Sequence, residues 1–338
     1  MIVYVGNMLS QHGSSINFME LLVPKLSVHY AIKAASSKKS KLLRLMDMLV
    51  CIVSNRKRCK IVLIDTYSTQ AFLYANFVAI LCRFLKLPYT PILHGGNFPE
   101  RYRKNPAIVT RFLSGANDVV SPSLYLQDFF LSKGFRVRFI PNFIEIDRYP
   151  YLSRHRIRPR ILWVRAFQEI YNPVLAVKVL QILLKSYPSA KLCMVGAAKD
   201  YTFEEVKKFV KEFHIENHVE FTGVLSKEAW IDASKEYDIF INTTTIDNMP
   251  ISVIEAMALG LPVVSTRVGG IPYLIQHDQE GLLVPSDSPE AMASSIITLL
   301  ECPEKAKLLA KNAREKVEEF AWSVVKSKWL DLIDNNKL

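Results

Sequence analysis

The sequence predicts an α/β chain of two successive doubly wound parallel sheets, each covered by helices on both faces. Three observations carry this expectation. The length of 338 residues exceeds one ordinary core and suits two domains, each of about 150 residues. Short Val/Ile/Leu runs alternate with longer segments of helical period, and near-continuous apolar strands belong to parallel sheets buried on both sides. The alternation stops at a basic, proline-flanked stretch, residues 149–159, and then begins again.

In the first half, strands are expected at 2–5, 28–33, 60–65, 89–93, 118–121 and 136–140, with helices at 15–26, 41–53, 69–85, 106–114 and 123–132. The longest apolar stretch, 71–81, is followed closely by Arg83 and Lys86. It is too short to span a bilayer and reads as a buried helix. In the second half, strands are expected at 160–164, 190–195, 219–222, 239–243, 263–266 and 282–284, with helices at 173–186, 202–213, 227–236, 252–258 and 290–300. The tail from Pro303 onward reads as helical throughout. The expected division is 1–150, 151–320, and a C-terminal helix, 321–338, packing back toward the N-terminal domain. No 20–50-residue repeat interrupts this order.

Composition narrows the class. Half of the residues are hydrophobic and 22% are charged, which fits a globular chain. The five cysteines, Cys51, Cys59, Cys82, Cys193 and Cys302, are odd in number and form no CxxC pair. They read as reduced core residues of a cytosolic protein, with neither a disulfide framework nor a zinc site. Met1 leads directly into an apolar strand with no basic region before it, so no signal peptide is expected. The net charge of +11 falls entirely in residues 1–150, which carry twenty Lys and Arg against eight Asp and Glu. Such a surface attracts anionic partners, although it also serves solubility.

The chemistry concentrates in residues 242–272. A strand is expected to end near Thr244, a polar loop to carry Asp247 and Asn248, and a helix to begin around Pro250, where proline is tolerated in the first turn. Ligands of open α/β sheets bind at the carboxyl ends of strands, which is where this loop falls. The backbone N–H groups of Ile251 and Ser252 lack acceptors within the helix and form an anion site. Glu255, about one turn inside, faces the same ligand. Gly269 and Gly270 open a second turn into a helix, where missing side chains allow close backbone approach. Taken alone, two such acids are ordinary capping and surface residues; their flanking residues point elsewhere.

The run Glu255-Ala-Met-Ala-Leu-Gly-Leu-Pro-Val-Val264, followed by Gly269-Gly270, resembles glycosyltransferase family 4, the retaining nucleotide-sugar transferases of GT-B architecture. That family carries Glu-x7-Glu before the same motif. The resemblance implies two Rossmann-like domains facing a central cleft. Asp247 takes the place of the first Glu and is one methylene shorter. By resemblance, Asp247 touches donor sugar hydroxyls and Glu255 the ribose. The family's diphosphate-binding Arg corresponds to Arg165, in Leu162-Trp-Val-Arg-Ala-Phe, whereas its Lys five residues on is Ile170 here, so that cation is absent. Gly13 and Ser14, in the loop after the first strand, resemble the glycine loop that approaches donor phosphates and acceptor. His94, in His-Gly-Gly, resembles a histidine near the donor sugar, and Gly223 occupies the region near the nucleotide base.

The resemblance implies retaining transfer of a sugar to a saccharide acceptor, with Asp247, Arg165 and His94 as the catalytic candidates. Arg165 and the two helix N-termini would neutralise the departing diphosphate, while Asp247 and Glu255 position the donor. Glu255→Ala is expected to abolish donor binding with little loss of stability. No DxD triplet occurs, so neither an essential metal nor a cofactor beyond the nucleotide-sugar substrate is expected. The basic half is expected to hold the acceptor, a saccharide or lipid-linked saccharide of surface-polysaccharide assembly, in the cytoplasm or at the inner face of the cell membrane. Residues 38–58 mix cations with an apolar helix, which suits an anionic membrane surface and equally suits a core helix with basic ends. Two rivals stand beside this reading: a sugar-nucleotide epimerase or hydrolase of the same architecture, and a non-catalytic nucleotide-sugar-binding protein. Nucleic acid is not an expected partner, for want of an aromatic RNP-type run or a helix-turn-helix. A dehydrogenase is disfavoured because no GxGxxG follows a strand.

Overall fold

The computed structural model describes residues 1–12 and 17–335. The chain forms two compact units, Met1–Asn142 with Val325–Leu338, and Phe143–Val324.

The first unit runs β1 (Ile2–Val5), α1 (Phe18–Ser27), β2 (Ile32–Ala35), α2 (Lys41–Asn55), β3 (Ile61–Thr66), α3 (Phe72–Phe84), β4 (Tyr89–Leu93), α4 (Phe98–Lys104), α5 (Pro106–Ser114), β5 (Val120–Ser121), α6 (Leu124–Leu131) and β6 (Arg138–Phe139). The six strands form one parallel sheet in the order β2-β1-β3-β4-β5-β6. The chain steps one way from β1 to β2 and the other way ever after. Right-handed crossovers therefore place α1 on one face and α2 to α6 on the other. Side chains follow the pleat: Val3, Val5, Val62 and Ile64 share a core cluster with Met48, Ile52, Phe72 and Val78. On the opposite face Tyr4 and Leu63 are fully buried, and the Phe18 ring lies 6.1 Å from that of Trp329.

Three local expectations fail here for identifiable reasons. Helix α1 starts at Phe18 because Asn17 and Glu20 form a reciprocal capping box. The second strand lies at Ile32–Ala35, not at 28–33, because Val28 keeps helical backbone angles at the end of α1. Helix α3 is not buried all round. Phe72, Val78 and Cys82 enter the core, but Leu73, Phe77, Ile80 and Phe84 are exposed. No helix among the described residues is long and apolar enough to cross a membrane.

The second unit runs β7 (Arg160–Val164), α7 (Pro173–Leu184), β8 (Lys191–Val195), α8 (Thr202–Glu212), β9 (Val219–Gly223), α9 (Lys227–Ala233), β10 (Ile239–Asn242), α10 (Ile251–Ala258), β11 (Val263–Thr266), α11 (Ile271–Leu274), β12 (Leu282–Val284), α12 (Pro289–Glu301) and α13 (Pro303–Glu318). A last helix, α14 (Trp322–Asp334), begins here and continues into the first unit. The sheet is again parallel, in the order β12-β11-β10-β7-β8-β9. Alternate strand residues feed two cores: Ile161, Trp163, Leu192, Met194 and Ile241 enter one, while Leu162, Cys193 and Phe240 enter the other. Each such buried side chain stabilises the unit by roughly 1.5–3 kcal/mol. The tail is not one helix. At 319–321 the chain leaves helix to pair with Ile144, whose N–H donates to Phe320 O at 2.9 Å and whose carbonyl accepts from Trp322 N at 3.0 Å.

Residues 149–159 lie inside this unit, and Tyr149, Arg154 and Ile157 are buried. Their basic, proline-flanked composition resembles a linker, but the boundary between units falls at Asn142/Phe143. Of the cysteines, Cys59, Cys82 and Cys193 are core residues, Cys51 is half-buried and Cys302 is exposed; all five are free.

Candidate active site

Strand β7 delivers Arg165 to the carboxyl edge of the second sheet, where its N–H donates to Val195 O at 3.0 Å. Its guanidinium meets the carboxylate of the loop after β10: Nη2 lies 2.5 Å from Asp247 Oδ2. The guanidinium also sits over the Tyr171 ring, 4.8 Å from the centroid. Asp247 Oδ1 accepts the N–H of Asn248 at 2.8 Å. Both charged side chains are largely shielded from water, at 14% and 15% exposure. Arg165 Nε is buried with no hydrogen-bond partner among the described residues. A buried unsatisfied donor costs about 1–3 kcal/mol, so its presence needs an explanation.

The loop that holds Asp247 is pinned from below. Trp163 Nε1 donates to Thr243 Oγ1 at 2.9 Å, and that hydroxyl donates to Tyr171 O at 2.7 Å. Thr245 N donates to Ile170 O at 2.9 Å. Ile170, which stands where the resemblance has a Lys, therefore contributes its carbonyl to this support.

Pro250 is the cap of α10 and not its first residue, and no side chain among the described residues caps the helix. Its carbonyl accepts from Val253 and Ile254. The N–H groups of Ile251 and Ser252 thus head a helix start that no described side chain closes. Ser252 Oγ is buried without a partner among the described residues. Gly269 and Gly270 serve the same loop. A Cβ on Gly269 would lie 2.1 Å from Asp247 O, and one on Gly270 would lie 1.8 Å from Asn248 O. Gly270 N donates to Asp247 O at 2.9 Å. The close backbone approach expected of this pair is therefore taken by residues 247–248 of the chain itself. Helix α11, which they open, is a single turn of four residues, too short for much of a dipole.

Glu255 is 4% exposed in α10. Its Oε1 accepts the Tyr149 hydroxyl at 2.8 Å and pairs with the Lys227 ammonium. Burial, then the charge of Glu255, raises the Tyr149 phenol well above its ordinary value, so it stays a donor. The expectation that Glu255→Ala leaves stability intact is corrected by this arrangement, because alanine strands the buried hydroxyl of Tyr149. Sequence reasoning did not single out Lys227, Tyr149 or Tyr171. Lys227 carried a signal, since a cation at the first residue of a helix works against the helix dipole. Gly223 ends β9 with φ +69°, has open space around it, and accepts from Gly196 N at 2.8 Å.

His94 belongs to the first unit. Its Nε2 lies 3.0 Å from Asp65 Oδ1, which also accepts the buried Tyr4 hydroxyl at 2.7 Å. A carboxylate only accepts, so Nε2 carries the proton. The rings of Phe18 and Tyr67 flank the imidazole, 5.2 and 5.3 Å between centroids. Gly13 and Ser14 lie outside the described residues.

Two parallel six-stranded sheets in these strand orders are those of the GT-B fold. The fold matches HepE of Anabaena, solved in complex with UDP, at TM-score 0.79 and 17% identity over 99% of both chains. It matches sucrose-phosphate synthase of Thermosynechococcus elongatus at TM-score 0.80 and 15% identity, over 99% of this chain and 98% of that one. Residues 154–316 match the family model described as glycosyl transferases group 1. Among curated relatives, the sulfoquinovosyl transferase of Arabidopsis thaliana is 29% identical over 157 residues, 45% of this chain and 29% of that protein. The N-acetyl-alpha-D-glucosaminyl L-malate synthase of Bacillus anthracis is 34% identical over 130 residues, 38% of this chain and 33% of that protein. The chain thus spans about a third of the length of these relatives.

Proposed function

We propose that this chain is a retaining glycosyltransferase of the family 4 type, moving a sugar from a nucleoside-diphosphate donor to a saccharide acceptor. The observation that carries the proposal is the pair of orphaned polar groups at one strand-to-helix junction. Among the described residues, Arg165 Nε and Ser252 Oγ are buried without partners beside an α10 start that no side chain caps. A diphosphate supplies acceptor oxygens for all three. In this reading Arg165 and the α10 N-terminus stabilise the charge on the departing diphosphate, and the absent Lys at position 170 leaves Arg165 as the main cation. Asp247 sets the guanidinium and touches donor sugar hydroxyls, Glu255 accepts from the ribose, and Gly223 lies near the base. His94, its tautomer set by Asp65, acts on the donor sugar. No metal is required, and activity that survives chelation checks that point.

The acceptor is a lipid-linked saccharide at an anionic membrane surface inside the cell, as in surface-polysaccharide assembly. The relatives include a putative colanic acid biosynthesis glycosyltransferase of Escherichia coli, 30% identical over 137 residues, and the basic first half suits an anionic acceptor. The test is release of nucleoside diphosphate from a nucleotide sugar with and without an acceptor pool. Release that requires acceptor supports transfer; release or epimerisation without it supports the rival enzymes, and binding without any turnover supports the non-catalytic reading. Glu255→Gln, which keeps an acceptor for Tyr149, is expected to weaken donor binding about tenfold or more. Unchanged donor affinity in that variant removes Glu255 from the site.

A further inference from the structure

Helices α2 and α3 lie side by side on one face of the first sheet. Each turns an apolar side inward: Met48 and Ile52 from α2, Phe72, Val78 and Cys82 from α3. Each is apolar on the outside as well. On α2 the outward residues Leu42, Met46, Val50 and Val53 are exposed, Leu42 at 70%. On α3 they are Leu73, Phe77, Ile80 and Phe84, with Phe77 at 50% and Phe84 at 82%. The spacings of four, four and three residues, and of four, three and four, put each set on one helical stripe. A helix that is apolar all round is normally covered on all sides, and two neighbouring stripes of this kind exceed the scattered apolar residues of an ordinary surface.

The charges around the stripes say what covers them. Lys38, Lys39 and Lys41 precede or begin α2, and Arg56, Lys57 and Arg58 follow it, all exposed. The one acid between residues 38 and 64 is the half-buried Asp47. Lys86 stands exposed just beyond α3. An apolar crest with cations at its ends fits a leaflet bearing anionic headgroups, with the rings below the headgroups and the ammonium and guanidinium groups among the phosphates. A second copy of the chain would instead bring two sets of like charge together.

We infer that the paired outer faces of α2 and α3 are a docking surface for an anionic lipid bilayer, with Phe77 and Phe84 as its deepest residues. This deepens the membrane part of the proposed function and uses none of its sugar chemistry. The full chain is floated with vesicles of phosphatidylglycerol and phosphatidylcholine, or of phosphatidylcholine alone, and its mass in solution is measured by light scattering. Wild type is expected to be a monomer that floats with the anionic vesicles and not with the neutral ones. Phe77→Ser/Phe84→Ser, folded by its unfolding midpoint, is expected to lose about tenfold or more of the bound fraction. Leu42→Ser/Val50→Ser, on the other helix, repeats the test should the first variant not fold. Failure of wild type to float, equal flotation of folded variants, or a dimer that these substitutions split would each overturn the assignment. A chain that floats but transfers no sugar refutes the proposed activity alone; one that transfers sugar but does not float refutes only the docking surface.

Discussion

Arg165→Ala is expected to lower kcat/KM for sugar transfer by about 10²–10³-fold, the scale set by removing one pre-positioned donor from a charge that develops in the transition state. The expectation rests on Arg165 being the cation that Asp247 presents at the strand edge, 2.5 Å away. Position 170 is Ile and adds no second one. The substitution also leaves Asp247 without its counter-ion at 15% exposure, so stability falls as well. Rates are therefore compared well below both unfolding midpoints. Arg165→Lys separates the two effects: it keeps a charge but loses the planar fork, and its activity should fall between wild type and alanine. Activity of Arg165→Ala equal to wild type would place the phosphate elsewhere.

The second large effect concerns the scaffold under that site. Arg154 is 7% exposed. Its guanidinium donates to the carbonyls of Leu152, Ser234, Tyr237, Leu259 and Gly260, at 2.9 to 3.3 Å. Asp238 lies 3.7 Å away and is also held by Arg158 at 2.7 Å. Burial lowers Arg154 to about 10, opposed by the charge of Asp238, so it remains charged near neutrality. One side chain thus ties the segment before β7 to the end of α9 and the end of α10. Arg154→Met keeps the bulk but removes a charged donor from five carbonyls and one of the two cations beside a buried carboxylate. The expected cost is about 3–5 kcal/mol, a drop of roughly 10 °C in the midpoint of the second unit. Calorimetry of the variant checks it, and a midpoint within two or three degrees of wild type, or roughly 1 kcal/mol, would mean that the network is redundant.

What the sequence disclosed, and what it hid, divides by the range of the interactions. Strand–helix alternation is local, and both sheets were legible from it, as was the junction from Asn242 to Gly270, whose residues are neighbours in the chain. Helix ends were less legible, because Val28 could continue a helix or begin a strand and only the capping of α1 decides. Pairing across the chain was hidden. Arg165 and Asp247, 82 residues apart, were each singled out without a sign that they touch. Tyr149 and Glu255, 106 apart, escaped as a pair. Arg154 sat unnoticed in a stretch that composition makes look like a linker, since nothing local distinguishes an arginine in water from one among carbonyls. The outer face of α3 was hidden, and that of α2 could be read two ways, for the opposite reason. Apolar periodicity reports that a face avoids water and does not report what it meets instead.

The proposed sugar transfer requires a diphosphate seated where β7 and β10 meet the start of α10. Calorimetric titration of the full chain with UDP, GDP and the corresponding nucleosides tests this most directly. One diphosphate should bind, its nucleoside should bind at least about tenfold more weakly, and Arg165→Ala should bring the two to the same low affinity. A diphosphate that binds wild type and the folded Arg165→Ala variant equally well, or no better than its nucleoside, would contradict it.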